Sequence, residues 1–594
     1  MVAGQSTGFP TGPNMTSIAA EIWKSKYRYK QGRNAPETSI INTWRRVARA
    51  VAAAEADPLH WEKIFFSALS GFHFIPGGRV LAGAGSEKQV TLFNCFVSGP
   101  ILDSIESILE ALKETAITMQ QGGGIGCDFS NLRPSGSPAL RTGSVASGPL
   151  SFMHIWDALC HTLLATSSRR GAMMGTLRCD HPDIIAFVDA KREPGVLTNF
   201  NLSVLITDAF MQAVADDAQW HLCYPPQTAI DERHNAEQIP ARLLWERIIS
   251  AAHDTAEPGL LFIDRINREN NLHYCENISA SNPCGEIPLP PYGACDLGSM
   301  NLTAFVRAPF SANSNFDQQR LGEITRIAVR FLDDVIDVSR FPLAQQADQA
   351  ISTRRIGLGI TGLADTLAML GMNYDSDDAR DFAGQTMKRI RDAAYDASIE
   401  LAAEKGAFPR FNKEGYLAAP FVHRLGHSLR DGIVKNGIRN SHLLAIAPTG
   451  TISLLAGNVS SGIEPIYALE ATRTVRGCDL QMLKLETRDF AYEQWLNSGN
   501  QGATVPDTFV TAENLSAKAH LAMQARLQPF VDNAISKTVN LPPGATPRDV
   551  DEIYTLAYSS GLKGCTVFRP GTRHDQVIRA RHESHCCDLD READ

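Results

Sequence analysis

The sequence predicts an α/β fold built on parallel strands. Two observations carry this: short apolar runs alternate with amphipathic helical stretches from about residue 74 to 570, and no solenoid-period repeat or low-complexity segment interrupts them. The 594 residues, 44% of them hydrophobic, can bury a large core. Residues 15 to about 70 read as helices, one starting at Pro36 and Glu37 with Ile40, Trp44, Val47 and Val51 on its apolar face. Phe74 to Gly85 breaks that pattern and opens the alternating region. Asp103 and Glu106 read as a capping pair for a helix that buries Ile105, Ile108, Leu109, Leu112 and Ala116. Further helices are expected over 241–253 and 323–338, the second lined by Ile324, Ile327, Phe331, Val335 and Val338. Leu260–Asp264 and Leu443–Ala447 are the cleanest buried strands. The chain thus divides into a helical region (1–73), an α/β body (74–570) and a polar tail (571–594).

Composition narrows the function. The net charge is −9 with both signs scattered, which argues against a nucleic-acid polymer as partner, since such binders gather Lys and Arg on one face. The polar Met1–Asn14 has no signal-peptide core and no run approaches a membrane span, so a cytoplasmic protein without a membrane partner is expected. The 12 cysteines include no C-x-x-C pair, so no structural zinc or other metal site is expected. Most read as small buried hydrophobes.

Two glycine-rich segments are weak signals. Gly357-Leu-Gly-Ile-Thr-Gly362 matches the dinucleotide fingerprint, but Ser352-Thr-Arg-Arg355 precedes it where a buried strand belongs. Gly122-Gly-Gly-Ile-Gly126 lacks the Lys-Ser/Thr of a P-loop and reads as a turn or a close backbone approach. Pro448-Thr-Gly-Thr-Ile-Ser453 says more. It follows a candidate strand and offers backbone N–H groups where a helix can start, which suits an anion as well as it suits an ordinary junction.

Asn282-Pro-Cys-Gly-Glu286 places a thiol two residues from a carboxylate on a segment that is not helix interior. If extended, Asn282, Cys284 and Glu286 point the same way, and Pro288, Pro290, Pro291 and Gly293 favour a return that brings Cys295 near. A neighbouring carboxylate raises a thiol pKa and suppresses thiolate, so ionic attack is disfavoured. One-electron chemistry needs no thiolate: a thiyl abstracts hydrogen, a carboxylate takes a proton, and a thiol pair supplies two electrons. Structural cysteines remain the alternative.

Asn282–Glu286, Gly293-Ala-Cys-Asp-Leu-Gly-Ser-Met-Asn-Leu302, Pro448–Ser453 with Gly462-Ile-Glu-Pro465, and Phe93-Asn-Cys-Phe96 resemble, in order, motifs of the ribonucleotide reductase catalytic chain. The resemblance runs from about Ile22 to Arg573. It implies a ten-stranded α/β barrel of two five-stranded parallel halves set antiparallel, with Cys284 on a central loop and a helical region before it. Cys284 then carries the thiyl that takes the ribose 3′ hydrogen, Glu286 takes the 3′-hydroxyl proton, and Asn282 bonds the sugar. Cys95 protonates the leaving 2′-hydroxyl and ends in a disulfide with Cys295. Asn94, Gly124, Pro283, Gly285 and Pro448, Thr449, Gly450, Thr451 and Ile452 are implied substrate contacts, the last five at the phosphates of a ribonucleotide, expected to be a diphosphate.

The resemblance also points to a radical source. Gly561–Arg569 has no adjacent tyrosine pair, and Glu583–Asp594 has no glycine for a glycyl radical. Gly564-Cys-Thr566 instead resembles the adenosylcobalamin-dependent class, in which no D-x-H-x-x-G motif is used. Asp103, Ser104, Arg133, Arg169 and Arg170 resemble a deoxynucleotide effector site of the kind found at a homodimer interface, against the reading of a solvated cap and surface arginines. The short N-terminus implies no on/off control by ATP against dATP. A thioredoxin-type or small-thiol reductant is implied. The adjacent Cys586 and Cys587 depart from the spaced tail pair of relatives, which leaves a shuttle role open. Two rivals stand at this point: a nucleotide-binding protein without catalysis, and a reductase that needs a metal-radical partner subunit.

Overall fold

Residues 15–30, 36–139, 143–164, 172–225, 237–476, 481–572 and 578–580 are described by a computed structural model. The apolar spacing of the N-terminal region produces helices Ser17–Ile22, Ile40–Ala52 and Pro58–Ser70. Ile40, Trp44, Val47 and Val51 are fully buried, as their spacing predicts, each worth about 1.5–3 kcal/mol. The helix starts later than Pro36, however. Ser39 is its cap, in a reciprocal box with Asn42, and the Glu37 carboxylate instead holds Arg46 and Thr43.

Ten strands form one mixed sheet. In chain order they are β1 (Phe74–Pro76), β2 (Cys95–Val97), β3 (Gly124–Asp128), β4 (Met173–Arg178), β5 (Phe200–Ile206), β6 (Gly259–Phe262), β7 (Ala294–Asn301), β8 (Ile356–Thr361), β9 (Thr538–Asn540) and β10 (Gly564–Phe568). β2, β3, β4, β5 and β6 pair in that order, all parallel. β7 pairs parallel with β8, and β9 with β10. The two sets meet antiparallel, β7 on β2 with Cys295 opposite Cys95, and β6 on β10 with Leu260 opposite Cys565. Leu443–Ala447 is extended and buried almost throughout, but it joins its neighbours only by single parallel bridges, Leu358 to Leu444 and Ile446 to Ile535. The Asp532 carboxylate takes up the N–H groups of Leu443 and Leu444 that a ladder would otherwise use.

Helices cover this sheet. Gln318–Val338 begins ahead of the expected 323, at the Asp317 cap, and buries Ile324, Phe331 and Val335 while Ile327 and Val338 are half-buried. Ala241–Thr255 matches its expected span closely. The helix Ile105–Gln120 differs more. Its cap is Ser104, which accepts from Ser107 N, and it buries Ile108, Ala111, Thr115 and Thr118. Ile105 and Leu109, expected inside, are 57% and 51% exposed.

The fingerprint match at 357–362 is a strand, β8, not a phosphate turn. A Cβ on Gly357 or Gly359 would stand 2.5 Å from Leu297 Cδ2 or 2.3 Å from the Ala445 carbonyl, so these glycines let the extended segments pack closely. Within the span read as a tail, Ile578–Ala580 pairs antiparallel with Ala471–Arg473. The acidic group Asp333, Asp334 and Asp337 is neutralised by Arg354, Arg439 and Lys405. Among the described residues no helix is long and apolar enough to cross a membrane.

Candidate active site

Residues Asn282–Glu286 form the tip of a tight hairpin, not an extended run. Ala280–Ser281 pairs with Pro288–Leu289, and the turn closes through Asn282 N to Ile287 O at 3.1 Å and Gly285 N to Asn282 O at 3.1 Å. Gly285 takes φ +85°, which a side chain would resist. Asn282 and Glu286 therefore flank the turn with Cys284 at its apex, and their convergence comes from the hairpin rather than from strand alternation. Three outside contacts fix the hairpin. Ala534 N donates to Glu286 O at 2.9 Å, Asn201 Nδ2 donates to Pro283 O at 2.9 Å, and the Ser281 carbonyl presses on Gly126. A Cβ at Gly126 would lie 1.9 Å from that carbonyl, so the glycine run at 122–126 is the close approach its composition suggested.

The three cysteines converge. Cys95 and Cys295 are direct antiparallel partners, so their side chains share a face, with Cβ atoms about 5 Å apart. Pro290–Gly293 makes the return that brings Cys295 there. Asn282 Nδ2 donates to Cys95 Sγ at 3.1 Å, and the Cys95 thiol faces Glu286 Oε1 at 3.9 Å. Cys284, half-buried, lies close enough to disfavour a Cys95 thiolate. Ile287, Leu289, Val97, Leu297 and Ala445 complete a small apolar cluster around the pair.

Electrostatics suit thiols and not thiolates. Burial, then Glu286 and the other two cysteines, pushes Cys95 well above the ordinary thiol range. Burial and then Asp296 do the same to Cys295. Desolvation lifts Glu286 to about 7 against the hydrogen bonds it receives, and its Oε2 is buried without a partner. A carboxyl poised near neutrality beside a thiol pair can pass protons in either direction.

The second cluster is at the end of the Leu443–Ala447 segment. Pro448–Ser453 turns through Thr449, at φ +59°, into helix Gly450–Leu455. Thr449 does not cap this helix. Its hydroxyl meets Thr361 Oγ1 at 2.9 Å and accepts from Gly462 N at 2.8 Å. The N–H groups of Gly450, Thr451 and Ile452 thus have no capping acceptor from Thr449. Thr361, on β8, and Gly462 support this turn; nothing in their sequence setting singled Thr361 out.

Of the remaining expected contacts, Gly124 donates its N–H to Asn94 O at 2.9 Å at the start of β3. The Asn94 amide packs towards Gly77 and is buried with neither Oδ1 nor Nδ2 partnered. Asp103 and Arg133 are brought together: the Asp103 carboxylate accepts from Arg133 Nε at 2.6 Å and from its N–H at 3.1 Å. Tyr224, pushed up to about 12 by burial and by Asp103, adjoins them. Arg169, Arg170, Cys586 and Cys587 lie outside the described residues. Cys127, Cys160, Cys179, Cys223 and Cys565 are buried, in keeping with a packing role, and Cys275 is exposed.

Comparison with known proteins adds the following. Residues 93–568 match the family model "ribonucleotide reductase, barrel domain", and residues 14–89 match "ribonucleotide reductase, all-alpha domain". The chain is 40% identical to a vitamin B12-dependent ribonucleoside-diphosphate reductase of Mycobacterium tuberculosis, over 95% of this chain and 80% of that one. It is 39% identical to a protein of the same name from Thermoplasma acidophilum, over 88% of this chain and 66% of the relative. It is 29% identical to a vitamin B12-dependent ribonucleotide reductase of Streptomyces coelicolor, over 91% and 63% respectively.

Proposed function

We propose, from the premise that this chain belongs to the ribonucleotide reductase family, that it reduces ribonucleoside diphosphates to 2′-deoxyribonucleotides with adenosylcobalamin as its radical source. The observation that carries the chemistry is the convergence of Cys95, Cys284 and Cys295 on one buried carboxyl, Glu286.

The donor set fits the cofactor class. Cys284 at the apex is half-buried, and a Cβ built on the adjacent Gly285 meets no atom of the described residues within 4 Å, which among those residues leaves room for a large group. Adenosylcobalamin held beside Cys284 and Gly285 would supply a carbon-centred radical that accepts the Cys284 thiol hydrogen, so that Cys284 is left as the thiyl. Cys284 then takes the ribose 3′ hydrogen. Glu286 removes the 3′-hydroxyl proton, for which a carboxyl near pH 7 is well matched. Cys95, already a proton donor towards Glu286, gives its proton to the departing 2′-hydroxyl, which leaves as water. Cys95 and Cys295 join as a disulfide: one of their protons has left in the water, and the other passes with the two electrons to C2′, while Glu286 returns its proton to the 3′ oxygen and Cys284 the hydrogen to C3′. Asn282 holds the Cys95 sulfur as well as the sugar. The N–H groups of 450–452 receive the phosphates, with Thr449 braced by Thr361.

Strands β2 to β10, with the extended segment Leu443–Ala447 as the tenth member, are read as a closed ring of two five-stranded halves, and β1 lies outside it on the edge of β7. The two antiparallel pairings and the single bridges through 444 and 446 support this, since together they link every strand from β2 round to β10. A homodimer is supported by Leu102, Ile105 and Leu109, exposed on or next to one helix, with Ile155 exposed on the helix packed beside it. Asp103, Ser104 and Arg133 lie at the start of that surface, which suits a deoxynucleotide effector shared between protomers.

The test is anaerobic CDP reduction with dithiothreitol, with and without adenosylcobalamin. Deoxycytidine product only with the cofactor, and none from Cys284→Ala, is expected. Product without cofactor on adding a metal-radical subunit would overturn the radical source. CDP binding with no product under any reductant would overturn catalysis.

A further inference from the structure

A lysine inside a sheet needs a reason, because burying an ammonium is costly unless its protons are taken up. Lys563, the residue before β10, is buried. Burial lowers its pKa to about 8; Glu269 and Asp532 favour its charge, while Arg424 and Arg355 oppose it. Its Nζ donates to two successive main-chain carbonyls, those of Asp532 at 2.5 Å and Asn533 at 2.6 Å. An ammonium placed in this way fixes a stretch of backbone. Lys563 is itself anchored, since its carbonyl accepts from Phe262 N at 3.0 Å and the Leu562 carbonyl accepts from Arg265 Nη1 at 2.7 Å.

The stretch it pins reaches both clusters of the site. Ala534 N, the next donor along, goes to Glu286 O at 2.9 Å. On another side, Ile446 N donates to Ala534 O at 3.2 Å and Ser536 N to Ile446 O at 2.8 Å, just before the turn at Pro448. The Asp532 carboxylate closes the start of the stretch by accepting from Leu443 N, Leu444 N and the Tyr395 hydroxyl, at 2.9, 2.8 and 2.8 Å. Residues 532–536 thus join the hairpin that carries Glu286 to the segment that leads into Pro448, and Lys563 holds that junction in place.

We propose that Lys563 is a positioning residue: through the backbone of Asp532–Ala534 it sets where Glu286 stands relative to Cys95 and the ribose. This rests on reading Glu286 as the base of the reaction. Burial is what lifts Glu286 to about 7. A hairpin that slackens admits water, and the carboxyl then falls back towards its ordinary range. The groups that face it, Asn282 and the thiols of Cys95 and Cys295, are untouched by a change at Lys563. Loss of the pin therefore lowers the rate and moves the pH at which the rate rises. The turn at Thr449 keeps its own supports, Thr361 and Gly462, so CDP binding changes little.

The experiment is the pH dependence of kcat and KM for CDP reduction by the full chain with adenosylcobalamin and dithiothreitol, beside CDP binding without cofactor. Wild type is compared with Lys563→Met and with Tyr395→Phe, which removes only the hydroxyl that donates to Asp532. Lys405→Met, whose ion pairs are with Glu55 and Asp334, controls for lost stability. Lys563→Met is expected to lose about tenfold or more in kcat and to move the rising limb about half a pH unit or more towards acid. Its CDP binding is expected to stay within about threefold of wild type. Tyr395→Phe is expected to move the limb the same way with a smaller loss, and it decides the matter alone if Lys563→Met does not fold. Lys405→Met is expected to lower Tm and leave the limb where it is. A limb that stays with wild type in Lys563→Met or Tyr395→Phe overturns the proposal, whatever happens to Tm. A limb that moves equally in Lys405→Met reduces the effect to stability and overturns it too, as do losses confined to KM and CDP binding. If wild type itself shows no rising limb, the base reading falls and this proposal falls with it.

Discussion

Gly126→Ala is the sharpest test of how the hairpin that carries Cys284 and Glu286 is held. The added Cβ would lie 1.9 Å from the Ser281 carbonyl oxygen. An ordinary carbon–oxygen contact is about 3.3 Å, so one side must retreat by about 1.4 Å. β3 is laddered on both edges at this residue, to Val97 and to Met174, so the hairpin moves and not the strand. That hairpin carries Cys284 and Glu286, and hydrogen transfer needs reacting atoms about 3–3.5 Å apart. A displacement near 1 Å costs roughly a hundredfold in rate. Overpacking costs only about 1–3 kcal/mol of stability, which a chain of this size absorbs. Gly544→Ala, where a Cβ meets nothing within 4 Å, is the control. Anaerobic CDP turnover with adenosylcobalamin and dithiothreitol, beside near-ultraviolet circular dichroism, reads both effects. A folded Gly126→Ala chain that keeps kcat within about threefold of wild type refutes the reasoning.

Four further outcomes are expected. With Glu286 at about 7 in the fold, kcat for CDP should rise through neutral pH as the base loses its proton; a flat profile between pH 5.5 and 8.5 removes Glu286 from that role. The same raised value makes the native state hold a proton that the unfolded chain releases near 4.5. The group's favourable contribution is then full below that pH and lost as pH rises to about 7, a change on the order of 3 kcal/mol. Glu286→Gln should accordingly be more stable than wild type in urea at pH 8 relative to pH 4.5, and equal pH dependence of the two chains contradicts it. Iodoacetamide at pH 8 should reach exposed Cys275 and half-buried Cys284 well before Cys95 and Cys295, which are buried and pushed far up; peptide mass spectrometry showing equal rates overturns this. Ile105→Glu with Leu109→Glu should convert a dimer to monomer in sedimentation velocity, and an unchanged sedimentation coefficient refutes the dimer face.

The candidate site was legible in the sequence because it is local in composition, a thiol, a carboxylate and an amide within Asn282–Glu286, while the chemistry assigned to it came from the resemblance of the surrounding motifs to a family. The strands and most helices followed from apolar spacing, which measures how much of a face is apolar. Spacing does not say what covers that face, so Ile105 and Leu109 were assigned to the interior. It also does not separate glycines needed for φ from those needed for space, as Gly357 and Gly359 illustrate. Nor does spacing show that hydrogen bonds across Asn282–Glu286 fold this segment into a hairpin tip. Thr361 fell within the glycine-rich match at 357–362 but not as a site residue, since its role depends on Thr449, remote in the chain.

The pairing of Cys95 with Cys295 has a bearing on how the enzyme matures. The antiparallel junction that opposes them joins parts of the chain separated by several complete β–α units, and such contacts form late because loop closure is unfavourable until most of the chain has condensed. Until that junction zips, nothing keeps the two sulfurs within reach of one another. A disulfide of the proposed kind between Cys95 and Cys295 would therefore require the body of the protein to have assembled first.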